Sequence, residues 1–224
     1  MRVLALVAVL SVALASPILA EERIDSYGVD VTVNRDGSLD FIETIAAVGE
    51  NKEVRRGIIR DVPVVHGIGG VRVSANFEVK GVTRDGKPEP YALKRSGGWI
   101  ALRIGDPNVF IGAGIFTYVI RYRMTRQLLY FLDRDVLAWS AVGTGWSFPI
   151  EKVEVTVHLP AGTQVVTFRG HTGRIGGSGK DYVFRDAPVG DLVIATTRRL
   201  EPSEGLPIFL TWKSGVIARD SQDL

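Results

Sequence analysis

From residue 23 onward the chain repeats every two residues. Tyr27, Val29, Val31 and Val33 alternate with Gly28, Asp30 and Thr32. A strand turns successive side chains to opposite faces, so this period builds one apolar and one polar face, whereas a helix needs a period of 3.6. The clearest case sets Val153, Val155, Val157 and Leu159 against Glu154, Thr156 and His158, the signature of a sheet covered on one side. Asn34-Arg35-Asp36-Gly37 is a turn, after which Leu39 and Phe41 resume the alternation, with Ile45 and Ala47 further on; together these predict a β-hairpin. A second hairpin is expected from Val71 through Val82, turning at Arg84-Asp85-Gly86-Lys87 and returning near Tyr91. Trp99 to Ile104, Phe116 to Tyr122, and segments 165–168, 182–184, 192–196 and 208–212 read as further strands. About ten to thirteen short strands punctuated by turns point to an all-β antiparallel sandwich. Thr125 to Leu132 is the one piece that reads as helical, a turn or two.

The first 20 residues follow a different rule. A basic tip, Met1-Arg2, leads into an apolar run from Val3 to Ala15, then Ser16-Pro17-Ile18-Leu19-Ala20 and the charged Glu21-Glu22. This is the pattern of a secretory signal peptide helix, with cleavage expected after Ala20 and Ala15 as the alternative. The run is shorter than the roughly 20 apolar residues of a comfortable membrane span, though an uncleaved N-terminal anchor is the other reading. The expected layout is a signal peptide over 1–20, one sandwich domain over 21–218, and a polar end over 219–224 that leads toward a downstream transmembrane region.

Composition bounds the function. Hydrophobic residues make up 46% of the 224, enough for a packed core. Without Arg2 the remainder carries 26 basic residues against 25 acidic ones, so no bulk electrostatic attraction to nucleic acid is expected. The absence of cysteine removes thiol catalysis, Cys-based zinc sites and redox motifs.

Few residue patterns point to chemistry. Asp133 and Asp135 flank Arg134, and two carboxylates at that spacing suit Ca²⁺ on a loop or a salt-bridged turn, the plainer reading. Arg55, Arg56 and Arg60 beside Asp61 suit either a clamp on an anionic ligand or structural ion pairs, with Asp61 an obvious partner. Trp139 and Trp146 bracket Gly143-Thr144-Gly145 and serve either as stacking platforms for sugar rings or as core between two sheets. His66, His158 and His171 are too scattered for a zinc site, read as surface residues, and have no GxSxG to serve. Gly176-Gly177-Ser178-Gly179-Lys180 fails the phosphate-loop pattern, because Arg174 stands where its first glycine belongs and a strand follows. No catalytic residue, metal ligand or cofactor is assigned. Arg56, Arg60, Asp133, Asp135, Trp139 and Trp146 are the candidate binding residues.

Four stretches taken together carry a resemblance: IDSYGVDVTVNRDGSLDFIETI, RRGIIRDVP, FLDRDVLAWSAVGTGWSFPIEKVEVTVHLP and EGLPIFLTWKSGVI, spread from about residue 23 to 217. In order and spacing the chain resembles the YciQ-like family of predicted bacterial membrane proteins. It departs from the family's usual pattern at Ala138, Ser140 and Arg134, where Tyr, Asn and His are common. The resemblance implies an immunoglobulin-like β-sandwich held outside the cell membrane, continuing into transmembrane helices. The expected function is non-enzymatic: interaction with an envelope protein or polymer, or envelope assembly, in a membrane-anchored protein. The alternatives are a secreted carbohydrate-binding module using Trp99, Trp139 or Trp146, and an envelope hydrolase with carboxylate chemistry at Asp133 and Asp135.

Overall fold

In the computed structural model, which describes residues 21–68, 71–186 and 191–219, the period-two segments all become strands. In chain order they are β1 (Arg23–Val33), β2 (Leu39–Gly49), β3 (Ile58–Pro63), β4 (Val65–Ile68), β5 (Val71–Ser74), β6 (Asn76–Arg84), β7 (Lys87–Pro88), β8 (Tyr91–Ser96) and β9 (Trp99–Ile104). There follow β10 (Gly114–Thr125), β11 (Leu128–Tyr130), β12 (Arg134–Val142), β13 (Val153–His158), β14 (Val165–Gly170), β15 (Tyr182–Asp186), β16 (Leu192–Thr196) and β17 (Leu206–Lys213). The expected signal helix lies outside the described residues.

The main sheet runs β15-β16-β13-β1-β2-β10-β6-β7, facing a smaller sheet β11-β12-β17-β14; a third sheet, β3-β9-β8, and the β4-β5 pair complete the fold. The fold is all-β, as the alternation requires, and nearly every pairing is antiparallel. Between the named strands of the described residues one is not: β1 pairs parallel with β13, Tyr27 opposite Val153 through Thr32 opposite His158. Residues 34–38 close the first hairpin as expected, with the Asp36 carboxylate accepting from Ser38 N and Oγ at 3.0 and 2.6 Å. The second turn has Asp85 and Gly86 both at positive φ, the geometry a two-residue hairpin demands. Its return strand, however, is only β7. At Tyr91 the chain leaves for the third sheet and pairs with β9 instead.

The helical expectation for Thr125–Leu132 is overturned. Arg126 sits at φ 61°, which breaks a right-handed helix at its first turn, and residues 128–130 extend instead as β11, paired with β12.

One hydrophobic cluster draws on all three larger sheets. Phe41 of β2 stacks on Tyr122 of β10 at 4.6 Å and meets Trp139 of β12 at 5.0 Å, which ties main sheet to second sheet. At the heart of the cluster lies a fully buried ion pair. Glu43 occupies the core face of β2, in phase with Leu39, Phe41, Ile45 and Ala47. Arg60 points inward from β3 between Ile58 and Val62. Its Nε and Nη2 donate to Glu43 Oε2 and Oε1 at 2.7 and 2.9 Å. The hydroxyls of Tyr27 and Tyr122, diagonal to Glu43 on its two neighbouring strands, each donate to the carboxylate at 2.6 Å. Burial alone would push the Glu43 carboxyl up, but the Arg60 charge and the three donors hold it below its ordinary value. Burial, with Glu43 beside them, drives both phenols well above theirs.

Removing one partner of such a pair strands a buried charge. Arg60→Ala should therefore cost about 3–5 kcal/mol in urea unfolding, and Glu43→Leu combined with Arg60→Met should recover much of it. An Arg60→Ala chain as stable as wild type would show that the pair contributes nothing.

Candidate functional site

The inward anchoring of Arg60 decides what faces out. On a strand, if residue 60 points into the core, residues 59 and 61 point away from it. Ile59 is accordingly 56% exposed, and the Asp61 carboxylate emerges between two adjoining cavities that share Asp61 and Gly145. The first, of about 420 Å³, lies among the 53–59 segment, Asp61, Arg103, Ile104 and the 145–148 segment. The second, of about 400 Å³, is lined by Asp61, Lys94, Ser96, Trp99, Ala101 and residues 143–145. Register explains this wall: Asp61, Ala101 and Lys94 lie side by side across β3, β9 and β8, and Ser96 lies beside Trp99.

Two devices hold the 50–57 loop that forms the rim of the first cavity. The Glu22 carboxylate accepts backbone N–H bonds from Glu50, Lys52, Glu53 and Val54, at 2.7, 2.9, 2.6 and 3.3 Å. Partial burial raises its pKa, but these four donors outweigh it and leave the group below its ordinary value. At the other end Gly57 and Gly105 cross in contact. A Cβ on Gly57 would fall 1.8 Å from the Ile104 carbonyl oxygen, and one on Gly105 would fall 2.0 Å from that of Arg56. Opposite, the Gly143-Thr144-Gly145 segment approaches so closely that a Cβ at 145 would meet Asp61 Oδ2 at 3.0 Å. The Arg60 Nη1 donates to the Asp61 carbonyl, so the buried pair fixes the backbone from which Asp61 projects.

The six candidate binding residues fare differently. Arg56 lines the first cavity, its guanidinium lying 4.1 Å over the Phe110 ring. Arg60 is 1% exposed and consumed by Glu43, so it clamps no ligand. Asp133 and Asp135 do not form a loop pair. Asp133 is in solvent beside Arg134, whereas Asp135 is buried in β12 and paired with Arg219 at 2.8 Å. Trp139 and Trp146 are core residues, because strand alternation and the turn into the interior bury both; neither offers a ring face to a sugar. Trp146 packs edge-on against Tyr27 at 5.9 Å and contributes only to the floor of the first cavity. Trp99 is the tryptophan that reaches solvent, at 47% exposure. His66 is half-buried, with both ring nitrogens out of solvent and without a partner; burial, and then the charge of Arg126, lower its pKa. His158 lies between Asp30 and Asp191, at 3.6 and 3.0 Å. Among the described residues no three His, Cys, Asp or Glu side chains are arranged to hold a metal ion.

Sequence reasoning passed over Glu43, Glu22, Lys94 and Arg103. Only Glu43 had a local signal, a carboxylate in phase with Leu39, Phe41, Ile45 and Ala47.

These features define a multi-sheet β domain knit by a buried ion pair, with a charged groove over its three-stranded sheet, β3-β9-β8. The chain belongs to a family of predicted membrane proteins, DUF2207, whose N-terminal domain matches residues 23–212. It is 33% identical over 140 residues to the uncharacterized protein YciQ of Escherichia coli (strain K12). That match covers 62% of this chain and 22% of YciQ, so the chain spans well under half the length of that relative. Among solved structures, native yeast LTA4 hydrolase superposes with a TM-score of 0.55 at 12% identity, over 85% of this chain and 29% of the hydrolase. The same enzyme in complex with bestatin gives 0.53 at 11% identity, over 85% and 28%. A likeness at that identity shows a shared fold.

The Glu22 clamp has a consequence in acid. Its carboxyl is held below the ordinary 4.5, so the unfolded chain takes up its proton first as pH falls. The clamp's contribution is complete above 4.5 and lost as pH drops through the lower folded-state value. Glu22→Gln should cost about 1–3 kcal/mol at pH 7 and flatten the fall in stability below pH 4.5, measured by urea unfolding across pH. An unchanged acid limb would mean that Glu22 does not carry it.

Proposed function

We propose that this chain is the non-enzymatic recognition domain of a membrane-anchored protein, held outside the cytoplasm, and that it binds an envelope component in the groove astride Asp61. The observation that carries this reading is the groove itself. Arg56, Arg103, Lys94 and Asp61 line it with no ion-pair partner among the described residues, while Asp40, Glu43, Asp135 and Glu204 are engaged in ion pairs elsewhere. A concave surface that combines apolar and aromatic lining with a few convergent polar groups is the form a binding site takes. Membership in a family of predicted membrane proteins supports the anchored arrangement, and the signal-like residues 1–20 support export. No helix among the described residues is long and apolar enough to cross a membrane. The first cavity sits by the start of β1 through the Glu22 clamp, whereas Ala218 bonds to Arg35 beyond its far end. A membrane segment following Arg219 would leave that cavity facing away from the bilayer.

A second reading, carbohydrate binding, is favoured by Trp99, whose exposed ring stands beside Ser96, Thr144 and Asp61 in the second cavity. The groove is the same in both readings. The hydrolase reading has no comparable support, since the Asp135 carboxylate is buried against Arg219.

The test is to block the groove from a solvent-facing strand position. Envelope oligosaccharides, peptides and anionic polymers are screened by thermal shift with the full chain and with Ala101→Trp, which places an indole between Asp61 and Lys94. Stabilisation by a ligand in the wild type and its loss in the variant is expected, with the ligand recovered intact. Equal stabilisation of both proteins, or chemical conversion of the ligand, would overturn the reading.

A further inference from the structure

We infer that the first cavity is an oxyanion site, in which Arg56 and Arg103 receive a carboxylate or phosphate group of the ligand. The inference rests on the binding role proposed for the groove and names the chemistry of its ligand.

Arg56 differs from the arginines that carry the ion pairs of the fold. Arg23, Arg84, Arg123, Arg198, Arg199 and Arg219 all face carboxylates, and so does the fully buried Arg60. Arg56 has none. Its Nε is buried with no hydrogen-bond partner, an arrangement that costs free energy unless a ligand or solvent completes it. The side chain is nevertheless held in place. The face of its guanidinium lies on Phe110, which leaves the edge donors as the ones available for bonding. Its backbone is locked by the Gly57–Gly105 crossing and by the Glu22 clamp on residues 50–54. Ile111 N donates to the Arg55 carbonyl at 3.0 Å, which fixes the Phe110 segment against the same loop.

Arg103 completes the pair from an independent element. It faces outward on β9 opposite Ile59, lines the same cavity, and has no partner among the described residues. Arg55 is a third unpaired cation at the rim. Two carboxylates, Glu53 and Asp61, line the cavity as well, and neither lies within ion-pair distance of these arginines. The balance is three cations to two anions, held apart across about 420 Å³. Guanidinium edges match planar carboxylate and tetrahedral phosphate in bidentate fashion. Val54, Ile58, Ile59, Ile104, Trp146 and Phe148 supply the apolar part of the lining.

The test follows the arginine Nε–Hε resonances of the full chain in ¹⁵N-edited spectra during titration with sodium phosphate, sodium acetate and, as control, sodium chloride at matched ionic strength. Saturable shifts at Arg56 and Arg103 with phosphate, with acetate or with both are expected, and the stronger of the two names the group the ligand bears. Arg56→Gln and, separately, Arg103→Gln should weaken that binding by about tenfold or more with an unchanged melting temperature. Arg103 is exposed on its strand, so its variant remains informative if the Arg56 variant proves unstable. Shifts no larger than with chloride, or binding unaffected by both substitutions, would overturn the inference. Ala101→Trp lies in the second cavity and leaves this titration intact, so failure of the groove reading and failure of the oxyanion site are read from different experiments.

Discussion

The bond between Glu43 and Arg60 is the constraint on which the rest of the molecule depends. A carboxylate on the core face of the central strand pair is expensive to bury alone, and the fold meets that cost with a guanidinium from another sheet and two phenols from the flanking strands. Replacing such a group by apolar residues is often no less stable. What the pair supplies beyond energy is register. It sets which residues of β3 point inward, and since the strand period is two, a slip of one residue would exchange Arg60 for Asp61 at the core. Asp61 and Ile59 face the groove because Arg60 cannot.

The groove is assembled on this frame from loops fixed at both ends. Glu22 gathers four backbone donors of the 50–54 loop, and two glycines let the backbone at 57 and 105 cross without side chains. The Gly143-Thr144-Gly145 segment closes against Asp61 for the same steric reason. The unpaired cations therefore stand on backbone braced at several points, an arrangement that would lower the conformational cost of meeting the proposed ligand.

The shared fold with a much longer hydrolase is a statement about sheet layers, since layered β architectures carry many unrelated activities. Membership in a family of predicted membrane proteins bears instead on where the chain works. The chemistry of this domain is a property of its own side chains, and those that line one surface together include Arg56, Arg103, Lys94 and Asp61.

Much of the architecture was legible without coordinates, because alternation is a local property. Val29, Val31, Val153, Val155 and Val157 announce which face is buried, and Asp85-Gly86 announces its turn. The all-β class, most strands and the first hairpin followed from that alone. Other features depend on contacts between segments far apart in sequence. Nothing local tells that β13 lies parallel beside β1, or that the chain at Tyr91 abandons β7's sheet for β9. The same holds for the site. The sequence presents Arg55, Arg56, Arg60 and Asp61 as one cluster, and only the tertiary structure separates them, taking Arg60 to a carboxylate 17 residues away and leaving Arg56 unpaired beside Arg103. Which tryptophan meets solvent was decided in the same way, by sheet packing that buries Trp139 and Trp146 and spares Trp99. Strand periodicity is written residue by residue, whereas the pairing of charges and the covering of faces are settled only when distant strands meet.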